Sequence, residues 1–200
     1  MEKFFILPED KQKRIIDAAL QVFGGNTYKK ASAGDIAAAA GISKGMVFHY
    51  FGSKKALYLY LVSMCGGILA SEMERNYDKT VTDFFDSIKM ATAIKIAAMK
   101  KHPFILAFVK NAYFETDPEV VDEIKSMISA GVENTWDALL GGIDVTKFKD
   151  PAAPGLLAKL LSWAGEGMME NRFDITDIDT RISDYIACLD IMKDNFYRAE

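Results

Sequence analysis

The sequence predicts an all-α protein of about nine helices. Three observations carry that expectation. Apolar residues recur at three- and four-residue spacing in segment after segment; Gly, Pro, Asn and Asp-Pro punctuation separates those segments; and no stretch alternates apolar and polar residues as a half-buried strand would. Half of the 200 residues are apolar, ample for a real core.

Phe4–Leu7 is a four-residue apolar patch ended by Pro8, too short for a signal-peptide core. The sequence leaves open whether it packs back on the first helix or forms a loose arm. Pro8 suits a first helical turn, and Glu9 and Asp10 stand where negative charge favours the helix dipole. Ile15, Ile16, Ala19, Leu20 and Phe23 keep helical register until Gly24-Gly25-Asn26 stops it. Ser32 opens a second, short helix, with Asp35 three residues on as a variant capping box; Ile36, Ala37 and Ala40 form a slim apolar side that lets another helix come close.

Gly41-Ile42 turns the chain into Ser43, an N-cap residue whose oxygen can accept a backbone N–H. In the helix that follows, Val47 and Phe51 share one face, while Lys44, Phe48 and His49 point elsewhere. Gly52 and Ser53 break it and cap the next. Helix, tight Gly turn and second short helix make a helix-turn-helix, the layout that places its second helix in a DNA major groove.

A long helix then runs from Lys54 through Leu57, Tyr58, Leu61, Met64, Cys65, Ile68 and Leu69 towards Tyr77, with Gly66-Gly67 marking a bend or a close approach. Phe84, Phe85, Ile88, Ala91, Ile94 and Met99 define the next, ending in Lys100-Lys101-His102. Pro103 starts another, through Phe104, Phe108 and Tyr113. Asp117-Pro118-Glu119 repeats the start signal before Val120, Ile124, Met127, Ile128, Trp136 and Leu140, closed by Gly141-Gly142. After the loop Ile143–Pro154, helices are expected over Leu156–Arg172 and from Asp177 through Tyr185 and Phe196.

Charge is unevenly spread. Residues 1–60 carry nine Lys and Arg against five Asp and Glu, while the other 140 carry 15 against 23, within a net −4. A basic end on an acidic body points to a polyanion partner for the N-terminal part alone. Cys65 and Cys188 lie far apart with no metal-ligand spacing, as buried thiols in a reducing compartment would. No apolar run approaches the ~18 residues of a membrane span, so a cytoplasmic protein without a membrane partner is expected. No GxSxG, P-loop, HExxH or paired metal-ligand motif is present and there are only two histidines, which argues against an enzyme and for no cofactor or metal.

Over residues 12–57 the chain resembles the DNA-binding domain of the TetR family of bacterial transcription regulators. KRIIDAALQVFGGN matches the first helix, SAGDIAAAAGISKG the second helix and turn, and MVFHYFGSKKAL the reader helix and its exit. The resemblance implies a DNA-binding domain over 1–53 and a helical ligand-binding and dimerisation domain over 54–200. It implies a homodimer paired through the last two helices, usually a repressor that a small molecule releases from a palindromic operator. Carried over by position, Lys44, Gly45, Met46 and His49 would face base edges, and Phe48, Tyr50 and Lys54 fall where phosphates are usually touched. Two departures stand out: Phe48 replaces a common Tyr and loses its hydroxyl, and Ala33-Gly34 replaces the usual Thr and polar residue. Phosphate contacts are therefore expected to lean on Lys29, Lys30, Ser32, Lys54 and Lys55. Lys44 can reach guanine acceptors, and Met46 offers apolar contact only.

The body is rich in aromatic and Met side chains. Phe84, Phe85, Met99, His102, Phe104, Phe108, Tyr113, Met127, Trp136 and Trp163 are candidates to line a site for a lipophilic effector, against the plainer reading of core packing. An effector there would move the long Lys54–Tyr77 helix and with it the reader helices. Ala164, Gly165 and Gly167 permit close approach of a second subunit. The alternative is a helical ligand-binding or protein-interaction module that no longer reads DNA, kept open by Ala33-Gly34 and Phe48.

Overall fold

The computed structural model describes residues 1–170 and 178–199. Among them are ten α-helices: α1 (Glu2–Phe5), α2 (Glu9–Gly25), α3 (Ala33–Ala40), α4 (Lys44–Phe51), α5 (Lys54–Asn76), α6 (Phe84–Lys101), α7 (Pro103–Tyr113), α8 (Val121–Leu140), α9 (Ala153–Glu170) and α10 (Ile178–Phe196). The all-α expectation holds. The added element is α1, which settles the Phe4–Leu7 question: the segment packs back, with Phe4 only 1% exposed. Helix α9 begins at Ala153, ahead of the expected Leu156, because Asp150 accepts the Ala152 N–H at 2.8 Å and Pro154 is tolerated in a first turn. The expected helix end at Arg172 and start at Asp177 lie outside the described residues.

Packing divides the chain into two compact units, Met1–Glu72 with Ile96–Gly131, and Met73–Lys95 with Val132–Glu200. Packing does not follow the division expected at residue 53, because α7 supplies core to the first unit. Its Phe108 ring meets Tyr58 at 5.2 Å and Phe23 at 6.3 Å, and Tyr28 stands against Tyr58 at 5.2 Å. Around these rings close Ile15, Leu20, Ile36, Val47, Leu57 and Leu61. Gly24 makes the α2–α7 contact possible, since a Cβ there would stand 3.1 Å from both Ala107 Cβ and the Phe108 nitrogen.

Helix α5 buries Leu57, Tyr58, Leu61 and Cys65 on one side. Burial pushes the Cys65 thiol up to about 12, so it stays protonated and inert. By length and composition α5 could cross a membrane, contrary to the expectation of no such segment; Ser63 and Gly66-Gly67 interrupt the run without adding charge. Close packing does not explain Gly66 and Gly67, for a Cβ at either would meet nothing within 4 Å.

The second unit centres on Phe84, Phe85 and Phe148, with Tyr197 4.8 Å from Phe148. The loop after α8 is tied to the C-terminal end: Lys149 N–H donates to the Phe196 carbonyl and Arg198 N–H to the Lys147 carbonyl, both at 2.9 Å. Buried Asp83 accepts from Lys193 Nζ at 3.1 Å and Lys147 Nζ at 3.2 Å. Burial alone would raise its carboxyl; the Asp86 N–H and the two ammonium groups outweigh that and hold it below the usual range.

Candidate nucleic-acid interface

The helix-turn-helix is built by local rules that the residue types satisfy. Ser32 Oγ accepts the Asp35 N–H at 3.1 Å and donates to Asp35 Oδ2 at 2.7 Å, starting α3. Gly41 ends it in the left-handed region at φ +65°, which a side chain would resist, and Ile42 N–H bonds the Ala37 carbonyl at 3.0 Å. Arg14 Nε reaches across from α2 to the Ala40 carbonyl at 3.0 Å and fixes the end of α3. Helix α4 follows and stops at Gly52, φ +81°, after which Ser53 Oγ accepts the Ala56 N–H at 2.9 Å and starts α5.

Ser43 occupies the N-cap of α4, yet its side chain makes no capping bond, against the sequence expectation. The Met46 N–H is taken by the Ser43 carbonyl at 2.9 Å, and the start of α4 keeps the positive end of the helix dipole. Along α4, Lys44 and Gly45 at its start and His49 in its last turn are exposed, Met46 is half-buried and Phe48 is 40% exposed. Lys29 and Lys30 are exposed in the turn before α3.

Four expected phosphate contacts are placed otherwise. Tyr50 is 4% exposed, its ring within the core beside Phe51 and Phe4. Lys54 Nζ donates to the Tyr28 carbonyl at 2.9 Å and the Ala31 carbonyl at 3.3 Å, and sits 4.0 Å over the Tyr28 ring. Lys55 Nζ pairs with Glu123 Oε1 at 2.6 Å. The Ser32 hydroxyl is occupied by Asp35, whose carboxylate also repels a phosphate. Ser32, Lys54 and Lys55 each have a polar partner inside the chain that a phosphate would have to displace.

Other residues support this surface from far along the chain. Glu115, 8% exposed, accepts the Tyr28 N–H on Oε2 at 2.6 Å and the Thr116 and Asp117 N–H groups on Oε1, each at 2.9 Å. Asn111 Nδ2 donates to the Phe23 carbonyl at 3.1 Å and the Gly24 carbonyl at 2.7 Å. Together they hold the end of α2 and the Thr27–Ala31 turn that carries Lys29 and Lys30. Burial pushes the Tyr28 phenol up, with Glu119, Asp117 and Glu115 adding to the shift. No local pattern marks Glu115 or Asn111 as parts of a DNA-binding unit; only the 87- and 88-residue returns of the chain do.

A family model described as bacterial regulatory proteins, tetR family, matches residues 15–61. The match is confined to this N-terminal helix-turn-helix segment. No curated protein sequence matches the chain. Among solved structures, a TetR-family transcriptional regulator from Chloroflexus aurantiacus J-10-FL shares the fold at TM-score 0.72 and 22% identity, covering 100% of this chain and 99% of its own. The fatty acid degradation regulator FadR from Bacillus halodurans follows at TM-score 0.67 and 17% identity, over 87% of this chain and 96% of its own. FadR from Bacillus subtilis, solved in complex with stearoyl-CoA, aligns at TM-score 0.66 and 15% identity over the same shares, 87% and 96%. At these identities the likeness is one of fold.

The ten candidates for an effector site are divided between the two units. Phe84 and Phe85, 1% and 0% exposed, are enclosed by Phe148 and each other in the second unit, where Trp136 Nε1 donates to Ser162 Oγ at 2.7 Å and Trp163 is 65% exposed. Met99, His102, Phe104, Phe108, Tyr113 and Met127 belong to the first unit, where Phe108 is 0% exposed and His102 is at the surface as the residue before α7. A ring enclosed on every side by protein has no face left for a ligand, so Phe84, Phe85 and Phe108 read as core. On α6, burial holds the Lys95 ammonium below its ordinary pKa.

Proposed function

We propose that this chain is a transcriptional repressor of the bacterial cytoplasm that binds a palindromic operator as a homodimer and is released by a small lipophilic effector. The observation that carries the reading is the exposed side of α4, with Lys44 and Gly45 at its start and His49 in its last turn, on a helix-turn-helix whose α2 packs against α7. In this reading residues 1–53 read DNA and 54–200 bind effector and partner subunit. Lys44 addresses guanine acceptors, His49 and Met46 neighbouring base edges, and Lys29 and Lys30 phosphates. No catalytic or cofactor chemistry enters. Binding of purified protein to DNA flanking its own gene tests it: affinity should favour one palindrome and fall steeply with salt. Equal binding to scrambled duplex would refute it.

Dimerisation is argued from α9 and α10. Leu156, Leu160 and Trp163 share one face of α9 and are 64%, 44% and 65% exposed, and Ile191 on α10 is 64% exposed. Apolar surface of that size calls for a cover, and a second copy of the same face supplies it symmetrically. The Leu160→Asp variant is expected to run as a folded monomer in analytical ultracentrifugation where the parent runs as a dimer; an unchanged dimer would move the interface elsewhere. For the effector, the stearoyl-CoA bound to the Bacillus subtilis protein makes long-chain acyl thioesters the first class to test. Operator release by such a compound, and none by free CoA, is the expected outcome.

A further inference from the structure

We infer that the N-terminal segment Met1–Leu7 is a working part of the reader, with Phe4 as the positioning residue that sets the pose of α4. The inference rests on the DNA-reading role proposed above and adds to it an element that lies before the family match at residue 15.

Helix α4 has eight residues, well under the ~12–15 a helix needs to persist alone, and it lacks a side-chain cap at its start. Its orientation is therefore set by what its buried residues Val47, Tyr50 and Phe51 rest on. Val47 belongs to the core shared with α2, α3 and α5. Tyr50 and Phe51 meet the N-terminal segment: the Phe4 ring stands 4.8 Å from Phe51, 6.3 Å from Tyr50 in an edge-to-face arrangement, and 6.2 Å from Tyr60 of α5. Phe4 thus bridges the end of the reader helix to the helix that leaves it.

The segment is itself anchored. Gln12 Nε2, on α2, donates to the Leu7 carbonyl at 2.8 Å and the Phe5 carbonyl at 3.2 Å. Beyond Tyr50 the contact continues outward, since the His49 ring lies 5.7 Å from the Tyr50 ring. A continuous series of contacts therefore links α2, through Gln12, the segment, Phe4 and Tyr50, to a candidate base-reading side chain. Removing the Phe4 ring takes away a support of Tyr50, the ring beside His49, while leaving every exposed reader residue in place.

The test compares wild type, Phe4→Ala and Phe4→Leu on the selected operator and on a scrambled duplex of equal length, together with amide hydrogen exchange. Phe4→Ala is expected to weaken operator binding at least about tenfold, change scrambled binding by less than about twofold, and speed exchange at residues 46–52 but not at residues 84–95 of the second unit. Phe4→Leu should recover most of the operator affinity. Operator affinity within about twofold of wild type overturns the inference. So does a parallel loss on both duplexes with faster exchange throughout, which would make Phe4 a general stabiliser. If wild type itself selects no operator, the DNA-reading role fails; exchange at 46–52 still reports separately whether Phe4 holds α4.

Discussion

Glu115→Ala is expected to destabilise the protein by about 2–4 kcal/mol in denaturant unfolding, although residue 115 lies far from the helix-turn-helix in sequence. The carboxylate takes three backbone N–H groups. Hydrogen bonds to a charged group contribute roughly 1.5–3 kcal/mol each, and a buried donor left without a partner costs more than the bond itself was worth. Thr116 is exposed and Asp117 half-buried, so water can reach their N–H groups, but Tyr28 is 1% exposed and its N–H would be stranded. The turn it anchors also provides the Tyr28 and Ala31 carbonyls that receive Lys54. Operator affinity should therefore fall with stability, even though Glu115 is not among the residues read as facing DNA. A loss below about 0.5 kcal/mol would mean that the turn holds itself.

Lys44→Ala is expected to cost about 1–3 kcal/mol of discrimination between the operator and a site altered at one G·C pair, with little change in stability. Lys44 is exposed at the first position of α4. Lys29→Ala or Lys30→Ala should instead weaken all duplexes alike and flatten the salt dependence by about one unit of slope. Lys54→Ala belongs to neither group: its ammonium already serves two carbonyls and a ring face, so its effect should appear as lost stability first. Fluorescence anisotropy titrations at several salt concentrations, paired with unfolding curves, separate the three behaviours. If Lys54→Ala leaves stability intact and acts as Lys29→Ala does, its bonds to the turn are broken when DNA binds.

The helix-turn-helix was legible because its determinants are local. Ser32 with Asp35, Gly41 in the left-handed region, and Gly52 followed by Ser53 each act within four residues, and the structure uses all of them. What local signals do not carry is a partner far along the chain. Nothing near Lys54, Lys55 or Tyr50 announces that Tyr28, Glu123 and Phe4 will claim them. Helix α1 escaped the periodicity because four residues before a proline hold a single turn. The aromatic set in the body was read correctly as apolar at helical spacing, but spacing reports that a ring is buried and not in which core. Phe84 and Phe108 look alike in sequence and sit in different units.

The most direct test of the DNA-reading role is a footprint of the wild-type protein on DNA flanking its gene, repeated across a salt series. A dimer should protect a two-fold site whose half-site centres are about 34–36 Å, or a multiple, apart, with log affinity falling linearly in log salt. Protection that is absent, or equally strong on a scrambled sequence, would contradict it.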